Sequence, residues 1–300
     1  MKPSVLVLTV ILTCLSGHTN SANSSNSANS SNTSNSAWLP RVVSINLCAD
    51  QLLMLLADDE QIVALSTLSR DAAGSYFHKK AMHFAQVDNR AEAILPLAPD
   101  MVLTGSYTSR YTLALFDELE LETASVSVAN SFEQMLANLE KVGVIVNQQQ
   151  RAAELVQSLR ARMEDIKQRV EQLDSAALAN DKDVLKAAVY DPNGYTVGDN
   201  SLRGEAIKIA GWHNVALDKG IRDYGVLQLE DLIKLAPDAL VESPYSPDTY
   251  SRGQALSNHP SLRQSGLDPL IINLPSSHTI CAGPWIIDVI EQLMLARDQL

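Results

Sequence analysis

Six of the eight tyrosines in this 300-residue chain stand just after three β-branched runs: Tyr107 and Tyr111, Tyr190 and Tyr195, Tyr245 and Tyr250. Aromatic residues make up only 5% of the sequence, so this clustering marks particular loops. Tyr and Trp offer flat apolar area with a polar tip, which suits a large, partly polar, ring-containing ligand. Trp285 follows a fourth loop, residues 276–284, and Arg70, Arg110 and Arg203 lie near the same edges. An arginine fork clamps carboxylate or phosphate groups, and Arg110, between two tyrosines, is the first candidate. Cys48 and Cys281 allow three readings: a thiolate activated at a helix N-terminus, a metal ligand, or a disulfide joining them. Catalytic signatures are missing, since no GxSxG, HExxH, Walker loop or GxGxxG occurs. The six histidines have no ligand spacing beyond the loose pair His78 and His83, which reads as solvated.

Ligands of open parallel α/β sheets sit beyond the carboxyl ends of the strands, so those residues need strands to place them. Strands are expected over Val42–Ile45, Ile62–Leu65, Met101–Thr104 and Thr123–Val128, alternating with helices over Ala49–Leu56, Ala91–Leu97, Thr112–Leu119 and Phe132–Val144. The alternation then stops. Ala152, Leu155, Val156, Leu159, Met163, Ile166, Val170 and Leu173 recur at three- and four-residue steps without Gly or Pro, the pattern of one long helix. Strands Val184–Val189, Ala239–Glu242 and Leu270–Asn273 follow, with helices over Ser201–Ala210, Leu229–Leu235 and Trp285–Arg297. The expected fold is α/β, two Rossmann-like lobes with parallel-type sheets joined by a single long α-helix. Residues 91–103 repeat in 229–241: Glu92, Leu97, Ala98, Pro99 and Asp100 match Glu230, Leu235, Ala236, Pro237 and Asp238 at a constant offset of 138. Each copy is a short helix stopped before a proline, then an apolar buried strand, and the register of five identities points to duplication.

The first residues carry a different signal. Val5–Leu12 is apolar but too short to span a bilayer, and reads as a signal peptide over 1–17. Residues 18–37 are almost all Ser, Asn, Thr and Ala, a tether expected to be disordered. Cys14 fits a lipoprotein box imperfectly because Thr13 precedes it, which leaves lipidation and discard with the signal both open. The remaining chain divides into an N-terminal lobe over 38–147, a connecting helix over 148–174 and a C-terminal lobe over 175–300. A net charge of −12 with no basic cluster excludes a general nucleic-acid binder.

Three motifs resemble those of the periplasmic binding proteins of ABC importers for cobalamin and ferric siderophores, the helical-backbone class. They are Arg41-Val42-Val43-Ser44-Ile45-Asn46, the Glu92–Leu103 repeat, and Tyr195-x-x-Gly198-x-x-Ser201 leading to Ala210-Gly211-Trp212-His213-Asn214-Val215-Ala216. The resemblance covers residues 41–298 and implies export to the periplasm, no catalysis, no cofactor, and a monomer partnered by an ABC permease and its ATPase. It implies a metal chelate, corrinoid or ferric siderophore, held between the lobes, where the reading of the strand ends puts Tyr107, Arg110, Tyr190, Tyr195, Tyr245, Trp285, Cys48 and Arg70 as ligand-binding candidates. Tyrosines standing where a metal-ion branch would carry His and carboxylate ligands argue against a bare Zn²⁺ or Mn²⁺ cargo. Glu92 and Glu230 match the positions that dock onto permease arginines; the same residues would also stabilise a helix first turn. Asn46-Leu47-Cys48-Ala49-Asp50-Gln51 departs from the family's usual Ser/Thr-containing start of the first helix, so a relative's ligand does not transfer. An exported α/β enzyme using Cys48 or Asp191, and a receptor that signals without transport, are the competing readings.

Overall fold

β-Branched runs and amphipathic segments alternate in the computed structural model, which describes residues 38–245, 260 and 266–300. The signal, the tether, Cys14 and Tyr250 lie outside the described residues. The first lobe runs β1 (Val42–Ser44), α1 (Leu47–Leu56), β2 (Ile62–Ser66), β3 (Gln86–Val87), α2 (Ala91–Ile94), β4 (Met101–Gly105), α3 (Arg110–Glu118), β5 (Thr123–Val126) and α4 (Phe132–Ile145). Its sheet is parallel throughout, in the order β3-β2-β1-β4-β5. α5 (Gln149–Ala179) leads to the second lobe: β6 (Lys186–Val189), β7 (Tyr195–Val197), α6 (Leu202–Ile209), β8 (His213–Asn214), β9 (Tyr224–Val226), α7 (Leu229–Leu235), β10 (Ala239–Glu242), β11 (Leu270–Asn273) and α8 (Ile286–Ala296). Four of these strands form a parallel sheet, β11-β10-β6-β8, and β7 pairs antiparallel with β9 at its margin.

α5 spans 31 residues, about 46 Å at 1.5 Å per residue. It runs beyond residue 174 because Ser175–Ala179 continues in strong helix formers, Ala and Leu. Its buried stripe, Ala152, Val156, Leu159, Met163, Ile166 and Val170, joins one core cluster that takes residues from both lobes. Polar bonds on its flanks fasten each lobe to it. Arg151 donates to Asp58 (2.7 Å), Arg160 grips Glu133 with both fork nitrogens (2.7 and 2.8 Å), and Arg162 reaches Asp288 on α8 (3.3 Å).

The repeat has a structural counterpart. Asp100 accepts the Arg41 N–H at 2.7 Å and Asp238 accepts the Lys186 N–H at 2.7 Å, so each carboxylate ties its strand to the start of the neighbouring one. Ala98 and Ala236, immediately before the paired prolines, both take the left-handed conformation (φ 43° and 47°) that a side chain disfavours by about 1 kcal/mol. Two copies holding the same strained alanine at the same turn share a fold down to the backbone.

Asp50, on α1, is fully buried and accepts hydrogen bonds from the Ser66 amide (3.1 Å) and the Ser66 hydroxyl. Burial raises its pKa to about 6, against the smaller lowering effects of Ser44 and Ser66. A carboxyl with a raised folded-state pKa stabilises most below its unfolded value near 4, and that stability is lost as pH rises through 6. Asp50→Asn keeps the acceptor for the Ser66 amide and removes the charge. It should therefore raise stability at pH 7.5 by up to about 3 kcal/mol and give no gain at pH 4. Urea unfolding at the two pH values tests this, and an equal effect at both would rule out charge burial as the cause.

Candidate functional site

The carboxyl ends of both sheets face each other across a cleft of about 340 Å³, with Val128, Ala129 and Asn130 on one wall and residues of the second lobe on the other. Among the described residues, its one close charge pair is built at the start of α6. Ser201 caps that helix by accepting the Gly204 N–H (3.0 Å) and donates its hydroxyl to the Gly198 carbonyl (2.8 Å). A Cβ on Gly204 would stand 1.9 Å from the Gly198 oxygen, so only glycine permits the approach that presents Arg203 to the cleft. Arg203 donates to the Asp191 carboxylate at 2.6 Å, and the other Asp191 oxygen accepts the Ser243 N–H at 3.1 Å. Both side chains are more than four-fifths buried, so the cleft carries a neutralised, strongly held pair. Hydroxyls surround it: Ser243 and Thr279 share a hydrogen bond of 2.7 Å, and Tyr224 and Tyr245 also line the cleft.

The structure sorts the candidate ligand residues. Tyr245 lines the cleft and donates its hydroxyl to Asp71 in the opposite lobe, which pushes its pKa up. Tyr195 lies at the rim, stacked on Tyr224 with ring centroids 6.2 Å apart, and desolvation raises its pKa. Tyr107 and Arg110 are exposed on the first lobe, outside the cleft lining, where Arg110 lies over the Tyr111 ring. Three expectations, those for Tyr190, Trp285 and Arg70, are corrected. Tyr190 is only 2% exposed, packed among Ala188, Val215, Leu227, Leu232 and Leu240 beneath the sheet. Trp285 is equally buried, donating to the Cys281 carbonyl (2.9 Å) and stacking on Tyr76. Arg70 is spent on the Ala81 and Phe84 carbonyls (3.3 and 2.6 Å), pinning its own loop. Of the three readings of Cys48 the disulfide holds: it is bonded to Cys281, with the Cα atoms 5.2 Å apart, and so offers neither a thiolate nor a metal ligand.

Glu92 and Glu230 are both exposed in the first turns of α2 and α7. Asn130, Tyr224, Ser243 and Thr279 were not anticipated. Tyr224 escaped because β9 is three residues long, although the alternation of Tyr224 with Val226 about Gly225 is a strand signal. Among the described residues, no group of three or more His, Cys, Asp and Glu side chains is arranged to hold a metal ion, and no helix is long and apolar enough to cross a membrane.

Two α/β lobes facing across a cleft, backed by one helix that packs on both, define a two-lobed solute-binding protein. The family described as periplasmic binding protein matches residues 42–265, and the chain belongs to it. It is similar to YvrC of Bacillus subtilis, an uncharacterized ABC transporter substrate-binding lipoprotein (23% identical over 227 residues, 72% of this chain and 67% of the relative). It is also similar to a cobalamin-binding protein of Halobacterium salinarum (26% identical over 202 residues, 67% of this chain), of which it spans only 53%. Solved structures with this fold include a periplasmic heme-binding protein, RhuT, from Roseiflexus sp. RS-1 (TM-score 0.68, 20% identity, 86% of this chain and 99% of that one). Another is the periplasmic vitamin B12 binding protein BtuF of Vibrio cholerae (TM-score 0.63, 14% identity, 87% and 97%). The chain thus stands with the substrate-binding components of ABC importers rather than with enzymes, and that family implies a permease and an ATPase as partners.

Proposed function

We propose that this protein captures a metal chelate, a corrinoid, haem or ferric siderophore, between its lobes and delivers it to an ABC permease. The observation that carries the reading is the cleft itself, where tyrosines, hydroxyls and the neutralised Arg203–Asp191 pair of the second lobe face Val128, Ala129 and Asn130 of the first in a periplasmic binding protein fold. A surface of flat rings and hydroxyls complements the edge of a macrocycle or a catecholate, and Arg203 can offer remaining fork donors to ligand carboxylates. A cavity of about 340 Å³ lies at the small end of ligand sites, so a chelate of this size would project toward the Tyr195–Tyr224 rim. The relatives named for haem and vitamin B12 support the class and leave its member open. Export to the periplasm with Cys14 as lipid anchor belongs to the same reading, supported by the lipoprotein description of YvrC.

Titration with cyanocobalamin, haemin and a set of ferric siderophores, followed by tryptophan quenching and thermal shift, tests the proposal. One of them should bind at about 1 μM or tighter, worth roughly 8 kcal/mol, and Tyr224→Ala should weaken it about ten-fold or more. Silence across the whole panel in both assays would remove the cargo assignment.

A further inference from the structure

The two edges of the cleft are built differently. On the side of β2 and β3, the segment after β2 reaches the second lobe. Tyr76 stacks on Trp285 with centroids 4.8 Å apart and planes 15° from parallel, Phe77 meets the same indole edge-on at 5.7 Å, and Ser276 donates to the Ala73 carbonyl at 2.6 Å. Beside them the Cys48–Cys281 bond links the lobes covalently, between residues 233 positions apart in the chain. Trp285 and Cys281 are 2% and 1% exposed, so the indole and one end of the disulfide are shielded from water, while Tyr76 in the stack stays 36% exposed. On the side of β5, two polar bonds cross: the Phe132 N–H donates to Glu205 at 2.5 Å and the Tyr224 hydroxyl donates to Asn130 at 3.3 Å. Tyr224 is 55% exposed, and water can replace its bond at little cost.

A disulfide holds its Cα atoms within about 7 Å in every native conformation, so this edge cannot part while the bond is intact. The second continuous connection is α5, which packs on both lobes. Two fixed points leave rotation about the line joining them as the soft motion. We propose that the lobes part asymmetrically: the disulfide edge stays shut in the free and the loaded protein, and the cleft opens where Asn130 and Phe132 meet Tyr224 and Glu205. The disulfide then acts as a strap that bounds the gape and so the width of ligand admitted. The inference concerns the lobes alone and stands whatever ligand is carried.

Hydrogen exchange of the unliganded full chain reads it directly, because the Phe132 amide is itself bonded across the cleft. That amide should exchange at least ten-fold faster than those of Tyr76 and Ile280, which lie on the strapped edge. In the Cys48→Ser/Cys281→Ser variant, residues 73–78 and 276–281 should gain ten-fold or more relative to the β4 amides, while Phe132 stays within two-fold. Equal or faster exchange at the strapped edge of the oxidised wild type overturns the proposal. So does a double-serine variant whose two edges keep the wild-type ratio. If that variant does not fold, the oxidised wild type compared with Tyr76→Ala decides: the strapped edge must remain the slower one in both.

Discussion

Replacing Cys48 and Cys281 together by serine lowers the unfolding free energy by about 3 kcal/mol and the melting temperature by roughly 5–10 °C. The bond closes a loop of 233 residues, and restricting an unfolded chain over that length is worth as much as about 5 kcal/mol in the chain-entropy account. Residual structure in the unfolded chain reduces that figure, which is why a smaller loss is expected. The bond also bridges two lobes whose other contacts on this edge are an aromatic stack and a few polar bonds, so its loss should be felt there before it reaches either sheet. Calorimetry of the oxidised protein, the reduced protein and the double-serine variant measures the effect. The reduced and serine forms should coincide, and a change below 0.5 kcal/mol in both would show that the unfolded chain gains little from being cut loose. Either single serine variant should lose as much, since the bond is lost in both.

The sequence carries the scaffold more openly than the site. Strands β1, β2, β4, β6 and β10 are runs of small and branched apolar residues whose burial on both faces leaves a continuous signal. α5 is written in its stripe from Ala152 to Val170, and the duplication in five identities that prove to hold two left-handed alanines and two strand-tying aspartates. The aromatic positions are harder to read, because a residue type after a strand does not say which side of the loop the other lobe covers. Trp285 and Tyr245 both follow strands of the second lobe. One is buried in a stack against Tyr76, and the other keeps its hydroxyl on Asp71 at the mouth of the cleft. Tyr190 is one residue past β6 and remains in the sheet's own core, whereas Tyr195 emerges after a turn. Arg203 and Asp191 are 12 residues apart, and only the close Gly198–Gly204 contact turns the helix so that they meet. Cys48 and Cys281 show the same limit from the other direction: pairing is a plain possibility once two cysteines remain, yet its position across the lobes depends on where each sheet ends.

Charge reversal at both repeat-equivalent glutamates, Glu92→Arg with Glu230→Arg, should abolish uptake of the ligand by cells while leaving its affinity for the purified protein unchanged. Both carboxylates are exposed, each in the first turn of a short helix; a left-handed alanine follows, at once after α7 and after the 3-10 turn Leu95–Leu97 in the case of α2, and leads into an inner strand of its sheet. The duplicated geometry presents one negative charge from each lobe in the same local orientation, which suits a partner that also carries two related halves. Stability should fall by less than about 1 kcal/mol, the worth of an exposed carboxylate at a helix start. Facing cations on a permease, each reversal replaces attraction by repulsion, and losing a close charge pair at an interface costs about 2–5 kcal/mol. Two such sites together would weaken docking by a factor of 1,000 or more, and each single reversal should fall between the wild type and the pair. Growth on the ligand as sole source, alongside equilibrium binding to the purified variant, separates the two roles. Loss of affinity would place the glutamates at the cleft or in the fold, and undiminished uptake would remove them from the docking surface. A rotation about the strapped edge moves each lobe as a body, so each glutamate keeps its local setting within its own lobe between the free and loaded states. Recognition of the loaded protein would then depend on the edge that moves, where Asn130 meets Tyr224.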